Sequence, residues 1–451
     1  VKRTILVSAI VLFSSFALHS ARASGGPDWS QVLGPAQGSL AAPGDKVVWL
    51  SELDQGMAKA KAQNRPLFVT FRCLPCKQCS AFDKDVLEGG PRLDPLLKQF
   101  ITVRLISAKD LDFRIFPAEG FQDMDLSWWG YFLSPEGRVY GIFGGRDEVS
   151  DETRISIAAL ANTLERVLKH HYDPRRSAWD IDGPAPDLSA PPRIITDLPG
   201  YPSWAGGRTL DKRTREAGCL HCHQVAEVLR QPAIDAKAFD KVNDTQIWPL
   251  PENVGVVVDR DDGLRVTEVR PNSPAERAGL KVGDELAMAG GRRLFGQADF
   301  RGALHRGPRS AGTIDIAWLR EGSIKSGQLA LVQGWRTTNL GWRTSFAGGN
   351  IGVYPGFWPL PIAPAERKKL NLADDAMAVR PFGTASFAKA AGMVEGSIIT
   401  AVGDETLNLS GRPFLVWFRL RHEPGDEATF TVREPSGTIK KVTYKLSAER
   451  E

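Results

Sequence analysis

The stretch Leu67-Phe68-Val69-Thr70-Phe71-Arg72-Cys73-Leu74-Pro75-Cys76-Lys77-Gln78-Cys79 decides how the first part of the chain is read. Leu67 to Phe71 is a short apolar run stopped upstream by Pro66, which predicts a buried strand. Upstream, Leu53 to Ala62 is helical in composition; downstream, a helical stretch runs to about Leu87. Two overlapping C-x-x-C pairs therefore lie between a buried strand and a helix N-terminus, where backbone amides stabilise a thiolate and lower its pKa. Further on, Pro95 to Gln99 reads as helix and Phe100 to Ile106 as strand. Gly130 to Ser134 and Arg138 to Phe143 form two strands around the turn Pro135-Glu136-Gly137. Ser150 to His171 closes the block as an amphipathic helix with Ser150 as its N-cap.

This order, with a Trp, an Ala/Lys-rich helix, a strand opened by Pro66 and then C-x-x-C, resembles the thioredoxin-like family of secreted proteins from about Val47 to His171. The resemblance implies an α/β thioredoxin-like fold. Aligned on that family's helix and strand spacing, Cys76 is the exposed nucleophile and Cys79 its resolving partner, with Cys73 beside them. One departure stands out. The family carries a cis-Pro facing the dithiol, and here that position falls at about Trp128. Two other readings remain open for these cysteines: a structural disulfide, or a soft metal held by three thiolates.

A second cluster, Cys219-Leu220-His221-Cys222-His223, fits C-x-x-C-H, the attachment motif of a c-type haem. Two thiols at this spacing form thioethers while the adjacent imidazole reaches iron, so Cys219, Cys222 and His223 are the expected haem c residues and His223 the proximal ligand. No Met or His lies between His223 and Leu250, so a distal ligand must come from elsewhere, with His170, His171, Met288, His305, Met377 and Met393 as candidates. A second redox disulfide, or a small zinc site, competes with haem.

Beyond Pro251 the sequence repeats loosely. Ser273-Pro274-Ala275-Glu276-Arg277-Ala278-Gly279 and its following Gly283-Asp284 are echoed by Ser386 to Gly392 and Gly396-Ser397, and Val254-Gly255-Val256 by Ile351-Gly352-Val353, with an insertion expected over Tyr354 to Leu372. The first copy resembles a PDZ domain of the bacterial secreted-protease type over Pro251 to Val332, the second more weakly over Gly348 to Leu446. The resemblance implies capture of a peptide C-terminus by the loop Asn253, Val254, Gly255 and Val256, with strand addition. No G-x-S-G-G nucleophile motif occurs, so the chain is not read as a protease.

Composition agrees with a multidomain globular chain: 451 residues, 42% hydrophobic, 24% charged and a net charge of +4, which disfavours both pervasive disorder and a nucleic-acid binder. Lys2-Arg3, an apolar run to Leu18 and Ala21-Arg22-Ala23 read as a secretory signal, which places the protein across the inner membrane, in the periplasm. The uncharged stretch Ser345 to Ala365 contains four prolines and reads as a loop, so no span is expected after the signal.

The organisation expected is a signal peptide (1–23), a flexible lead-in (24–45), the thioredoxin-like domain (46–172), a Pro-rich linker (173–203), the C-x-x-C-H segment (204–250), a PDZ domain (251–335) and a divergent second one (348–448), multidomain α+β overall. As a set these parts resemble bacterial secreted thioredoxin-like/PDZ proteins, some of which carry selenocysteine where this chain has Cys. The function expected is thiol-disulfide exchange with redox partner proteins, with PDZ modules recruiting substrates and haem passing electrons. A non-catalytic envelope scaffold and a haem or metal carrier with a structural disulfide are the rival readings.

Overall fold

The computed structural model describes residues 29–39, 44, 46–71, 77–106, 111–117, 123–126, 128–145, 155–206, 220–348 and 351–447, with 77–79 as backbone alone. The expected signal peptide lies outside the described residues, as do Cys73, Cys76 and Cys219. No described helix is long and apolar enough to cross a membrane.

The first elements are α1 (Trp29–Leu33), β1 (Trp49–Leu50), α2 (Leu53–Gln63), β2 (Leu67–Phe71), α3 (Lys77–Glu88), α4 (Asp94–Leu97), β3 (Ile101–Leu105), β4 (Trp129–Leu133), β5 (Val139–Gly144) and α5 (Ile157–His171). The five strands form one sheet in the order β1-β3-β2-β4-β5, parallel from β1 to β2 and antiparallel from β2 to β5. β2 is buried throughout because it is central and covered on both faces: Leu67, Val69 and Phe71 enter one core, Phe68 the other. The second core takes its cover from α5, through Leu160, Leu164 and Leu168. That helix begins later than the sequence suggests. Its cap is Ser156, whose Oγ accepts the Ala159 amide at 3.0 Å, whereas Ser150 lies outside the described residues.

The chain continues through α6 (Arg176–Trp179), α7 (Tyr201–Gly206) and α8 (Cys222–Asp235). Trp204 of α7 and Cys222, Val225 and Val228 of α8 share a core with Val69 and Tyr131 of the sheet. The C-x-x-C-H segment is therefore a further layer on the first domain rather than a body of its own. The Pro-rich stretch also differs from a free linker: Trp179, Ile181, Ile195 and Leu198 are buried, and backbone bonds tie Gly183 to Val139 (2.8 Å) and Phe113 to Arg193 (2.7 Å). At the N-terminal side, α1 is packed rather than a flexible lead-in, with Val32 against Trp179, Ile181, Met288 and Ala317.

The following unit comprises β6 (Val256–Val258), β7 (Val266–Val269), α9 (Pro274–Ala278), β8 (Glu285–Ala289), β9 (Arg292–Arg293), α10 (Gln297–Arg306), β10 (Gly312–Arg320) and β11 (Ser323–Leu331). Its motif residues have structural duties. Ser273 caps α9 by accepting the Glu276 amide, Gly279 ends it at φ 92°, and buried Asp284 caps Lys281 while pairing with Arg320 at 2.7 Å. The last unit comprises α11 (Thr344–Gly348), β12 (Trp358–Pro361), α12 (Pro364–Lys369), β13 (Val379–Phe382), α13 (Ser386–Ala390), β14 (Ile398–Val402), α14 (Gly411–Arg421), β15 (Glu427–Arg433) and β16 (Ile439–Lys445). From β13 to β16 it follows the order of the unit before it from β7 to β11, without a counterpart of the short β9, and its extra helix α12 falls between β12 and β13. Ser397, standing where the first copy has Asp284, is fully buried and its hydroxyl has no partner among the described residues, so the cap is lost there.

Polar contacts join these units, among them Arg166 of α5 with Asp262 (2.9 Å) and Glu285 (3.0 Å) and two deeper junctions. Asp299 of α10 reaches the outer edge of β5: Oδ1 accepts from the Ile142 amide at 2.8 Å, and Oδ2 from Phe295 (2.9 Å) and Gly296 (3.2 Å). An edge strand that would otherwise be a template for pairing is thereby closed. Deeper in, Arg343 pairs with Asp123 (2.9 Å) and Asp125 (3.2 Å), and Arg301 with Asp123 (2.7 Å), all four being buried.

Candidate functional site

β2 ends at Phe71 and α3 begins at Lys77, so the first cysteine motif spans a strand-to-helix junction. Cys76 immediately precedes α3 in sequence, Cys79 is its third residue, and Cys73 and Cys76 themselves lie outside the described residues. Around this junction the environment is aromatic. The Phe71 ring lies 4.7 Å from that of Trp129, and buried Trp128 packs at 4.8 Å on Phe82 of α3. Trp128 is the residue expected at the family's cis-Pro, and its bond to Ser127 lies outside the described residues.

Sequence reasoning missed Asp83, one helical turn after Cys79. It is buried, accepts from Trp128 Nε1 at 3.3 Å and pairs with Arg104 at 2.8 Å. The available signal was a carboxylate on a helix between the core positions Phe82 and Val86, where an acid is found only when it has partners.

The second motif converges on the same end of the sheet. Trp129, paired in register with Phe71, donates its indole N–H to the Cys222 sulfur at 3.3 Å. Gln224 accepts the His221 amide at 2.8 Å and so closes the start of α8, and the rings of His221 and His223 stack at 5.4 Å. His223 Nδ1 faces Glu227 Oε1 at 3.4 Å, and Glu227 is itself held by Trp204 Nε1 at 3.0 Å.

The donor set present fits a haem-ligating imidazole, because a carboxylate on Nδ1 orients the ring and leaves Nε2 for iron. Cys222 is buried, and Cys219 lies outside the described residues. Of the distal candidates, His170 is bound to Asp182 at 2.7 Å and His171 to Tyr140 at 2.8 Å, while Met288, Met377 and Met393 are core residues. His305 lines a cavity beside α8. Among the described residues no group of three or more His, Cys, Asp or Glu is arranged to hold a metal ion.

The peptide loop is used differently from expectation. Val254 and Val256 are core residues, and Gly255 sits at φ 85° with Ser273 so close that a Cβ would meet it at 2.1 Å. The Asn253 side chain caps Leu250 (2.9 Å) and binds the carbonyls of Trp335 and Thr337 (both 2.8 Å), so it anchors the segment after β11. The amides of Asn253 and Gly255 donate to Leu250 and Glu252 carbonyls at 3.0 and 3.1 Å. The free resource is the strand itself: β6 pairs with β7 on one side and with no other strand among the described residues.

Family comparison agrees with these two modules. Residues 48–112 match the thioredoxin-like family and residues 254–331 the PDZ domain family. The first domain is thus thioredoxin-like, and the unit from β6 to β11 is a PDZ domain, a module that binds proteins and peptides. No curated protein matches the chain. Among solved structures, a serine endoprotease from Yersinia pestis is similar at 24% identity over 18% of this chain and 28% of its own, with a TM-score of 0.16. An HtrA-type protease with a decapeptide is similar at 17% identity over 30% of this chain and 40% of its own, with a TM-score of 0.20. The chain spans less than half the length of either.

Proposed function

We propose that the chain is a thiol-disulfide oxidoreductase acting outside the cytoplasm, with Cys76 as nucleophile, Cys79 as resolving thiol and the PDZ domain recruiting protein substrates. The observation that carries the reading is the frame of the first motif: a fully buried strand ending at Phe71 and a helix beginning at Lys77, with Cys76 just before that helix. Helix-terminal amides favour a thiolate there. In the reducing direction, the Cys76 thiolate attacks a substrate disulfide, forming a mixed disulfide and releasing one substrate thiolate. The Cys79 thiolate then attacks the Cys76 sulfur and releases the second. Two electrons pass to the substrate and a Cys76–Cys79 disulfide remains.

A second reading concerns the C-x-x-C-H motif, and the His223–Glu227 pairing supports it. A haem c attached through Cys219 and Cys222 would be ligated by His223 Nε2, with Glu227 and Trp204 fixing the ring. When bound, that group supplies one-electron transfer. Secretion across the inner membrane rests on the charged, apolar and small-residue order of positions 2–23.

The test is trapping. Cys79→Ala should accumulate mixed disulfides that map to Cys76; adducts mapping to Cys73 would reassign the pair, and insulin reduction unchanged by both Cys76→Ala and Cys79→Ala would leave the scaffold reading. Expression with c-type maturation machinery should give haem that survives acid-acetone extraction and is lost in Cys219→Ala/Cys222→Ala. Colourless protein carrying one zinc would instead support the metal reading.

A further inference from the structure

Where the first domain, α8 and the PDZ domain meet, the structure forms an open cleft of about 350 Å³, in the range of small-molecule sites. Besides Asp123, Met124 and Asp125 of the first domain, its walls come from three further places. Helix α8 contributes Ala226, Leu229, Arg230 and Ala233, one face at helical spacing, while Val225 and Val228 on its other side enter the sheet core. Phe239 and Trp248 follow from the segment after α8, and His305 comes from α10.

The acids at this cavity are already satisfied. Asp123 is bound by Arg301 and Arg343; Asp125 accepts from Arg343, the Ser345 amide (2.8 Å) and the Ser345 hydroxyl (2.8 Å). Asp244 pairs with Arg309 at 3.0 Å near the surface.

The donors are not. Among the described residues Arg230 hydrogen-bonds only to Ser345, at its carbonyl (3.3 Å) and hydroxyl (3.0 Å), and otherwise lies over the rings of Phe346 at 4.4 Å and Phe239 at 5.9 Å. A guanidinium has five N–H groups, so most remain for a ligand; among the described residues no carboxylate hydrogen-bonds them, although Asp125 and Glu227 lie near enough to favour its charge. Burial pushes its pKa down to about 10, which still leaves it charged. The His305 ring stacks on Trp248 at 4.3 Å, and its Nδ1 accepts the Trp248 amide at 3.2 Å. Burial holds this imidazole neutral, its pKa pushed down to about 3, so the proton is on Nε2 and that N–H is a second unused donor.

The geometry points to a binding site for a small aryl carboxylate, its anionic group on Arg230 and the His305 Nε2–H and its ring between Phe239 and the Trp248–His305 pair. Nothing in this inference depends on the thiol chemistry proposed above. Calorimetry on the full chain with 1-naphthoate and its uncharged isostere 1-naphthamide tests it. Naphthoate should bind at least about tenfold more tightly than the amide, the worth of a charge-assisted hydrogen bond in a desolvated site. Arg230→Gln should erase that preference, and Trp248→Phe should remove most of the accompanying change in tryptophan emission. Equal affinity for acid and amide in the unaltered protein would overturn the assignment, as would absence of binding up to millimolar ligand or an unchanged preference in Arg230→Gln. The two-ligand comparison needs no variant and so decides the matter even if Arg230→Gln does not fold.

Discussion

Asp299 should make the stability of this protein depend on pH in the direction opposite to an ordinary carboxylate. Burial is the dominant influence on it and pushes its carboxyl up to about 6, against the pull of the three backbone donors and of nearby Arg292. In the unfolded chain the group returns to about 3.9. Because the folded value is the higher, the folded protein holds the proton more tightly, and the stabilisation is complete below about pH 4 and lost as pH rises through about 6. A difference of about two units corresponds to about 3 kcal/mol. Asp299→Asn keeps the shape but cannot titrate. Urea unfolding of both proteins at intervals from about pH 3 to about pH 7 should give two curves whose separation changes by about 3 kcal/mol, the aspartate form gaining toward acid. Parallel curves would refute the reasoning, for they would mean that the carboxylate at the β5 edge is ionised throughout and that its three donors outweigh burial.

Other expectations follow from the same junctions. Arg343→Met leaves Asp123 and Asp125 short of their buried cation and should cost about 3–5 kcal/mol in urea unfolding. Gly141→Ala places a Cβ 2.7 Å from the Phe295 ring and 2.9 Å from Asp299, both enclosed, so the PDZ domain should loosen from the β5 edge by about 1–3 kcal/mol, read as faster proteolysis between the two. Peptides that bind the PDZ domain should compete for the open edge of β6, and Asn253→Ala should lower thermal stability while leaving the preference for free over amidated C-termini unchanged.

What could be read in advance follows from the range of the forces involved. β2 is legible because a run from Leu67 to Phe71 that is apolar but for the β-branched Thr70 has few alternatives to a central strand, and the Ser273, Gly279 and Gly283 positions because caps and left-handed turns are local. Trp179, Ile181, Ile195 and Leu198 were hidden among prolines: each is a single apolar residue whose partner lies on a distant strand, so composition reads as linker what the fold uses as a strap. Val225 and Val228 mark a helix face but carry no label for the sheet it covers. The cluster of Asp123, Asp125, Arg301 and Arg343 is the least legible, since charges are exposed by default and only long-range pairing reveals these as buried. At the candidate site, the strand-to-helix frame of the first motif was visible in sequence, whereas the meeting of Trp129 with Cys222 was not, because it joins residues far apart in the chain.

The cover that α7, α8 and α10 give the first sheet has a consequence for biosynthesis. Chains emerge N-terminus first, and domains ordinarily fold as they appear. Here Val69 and Tyr131 wait for Val225 and Val228, and the β5 edge waits for Asp299. The nascent thioredoxin-like domain therefore exposes an apolar face and an unpaired edge until the PDZ helix has been synthesised. Such non-local closure slows folding and leaves an aggregation-prone interval. A chain truncated before α8 should accordingly depend on chaperones in a way the complete arrangement does not.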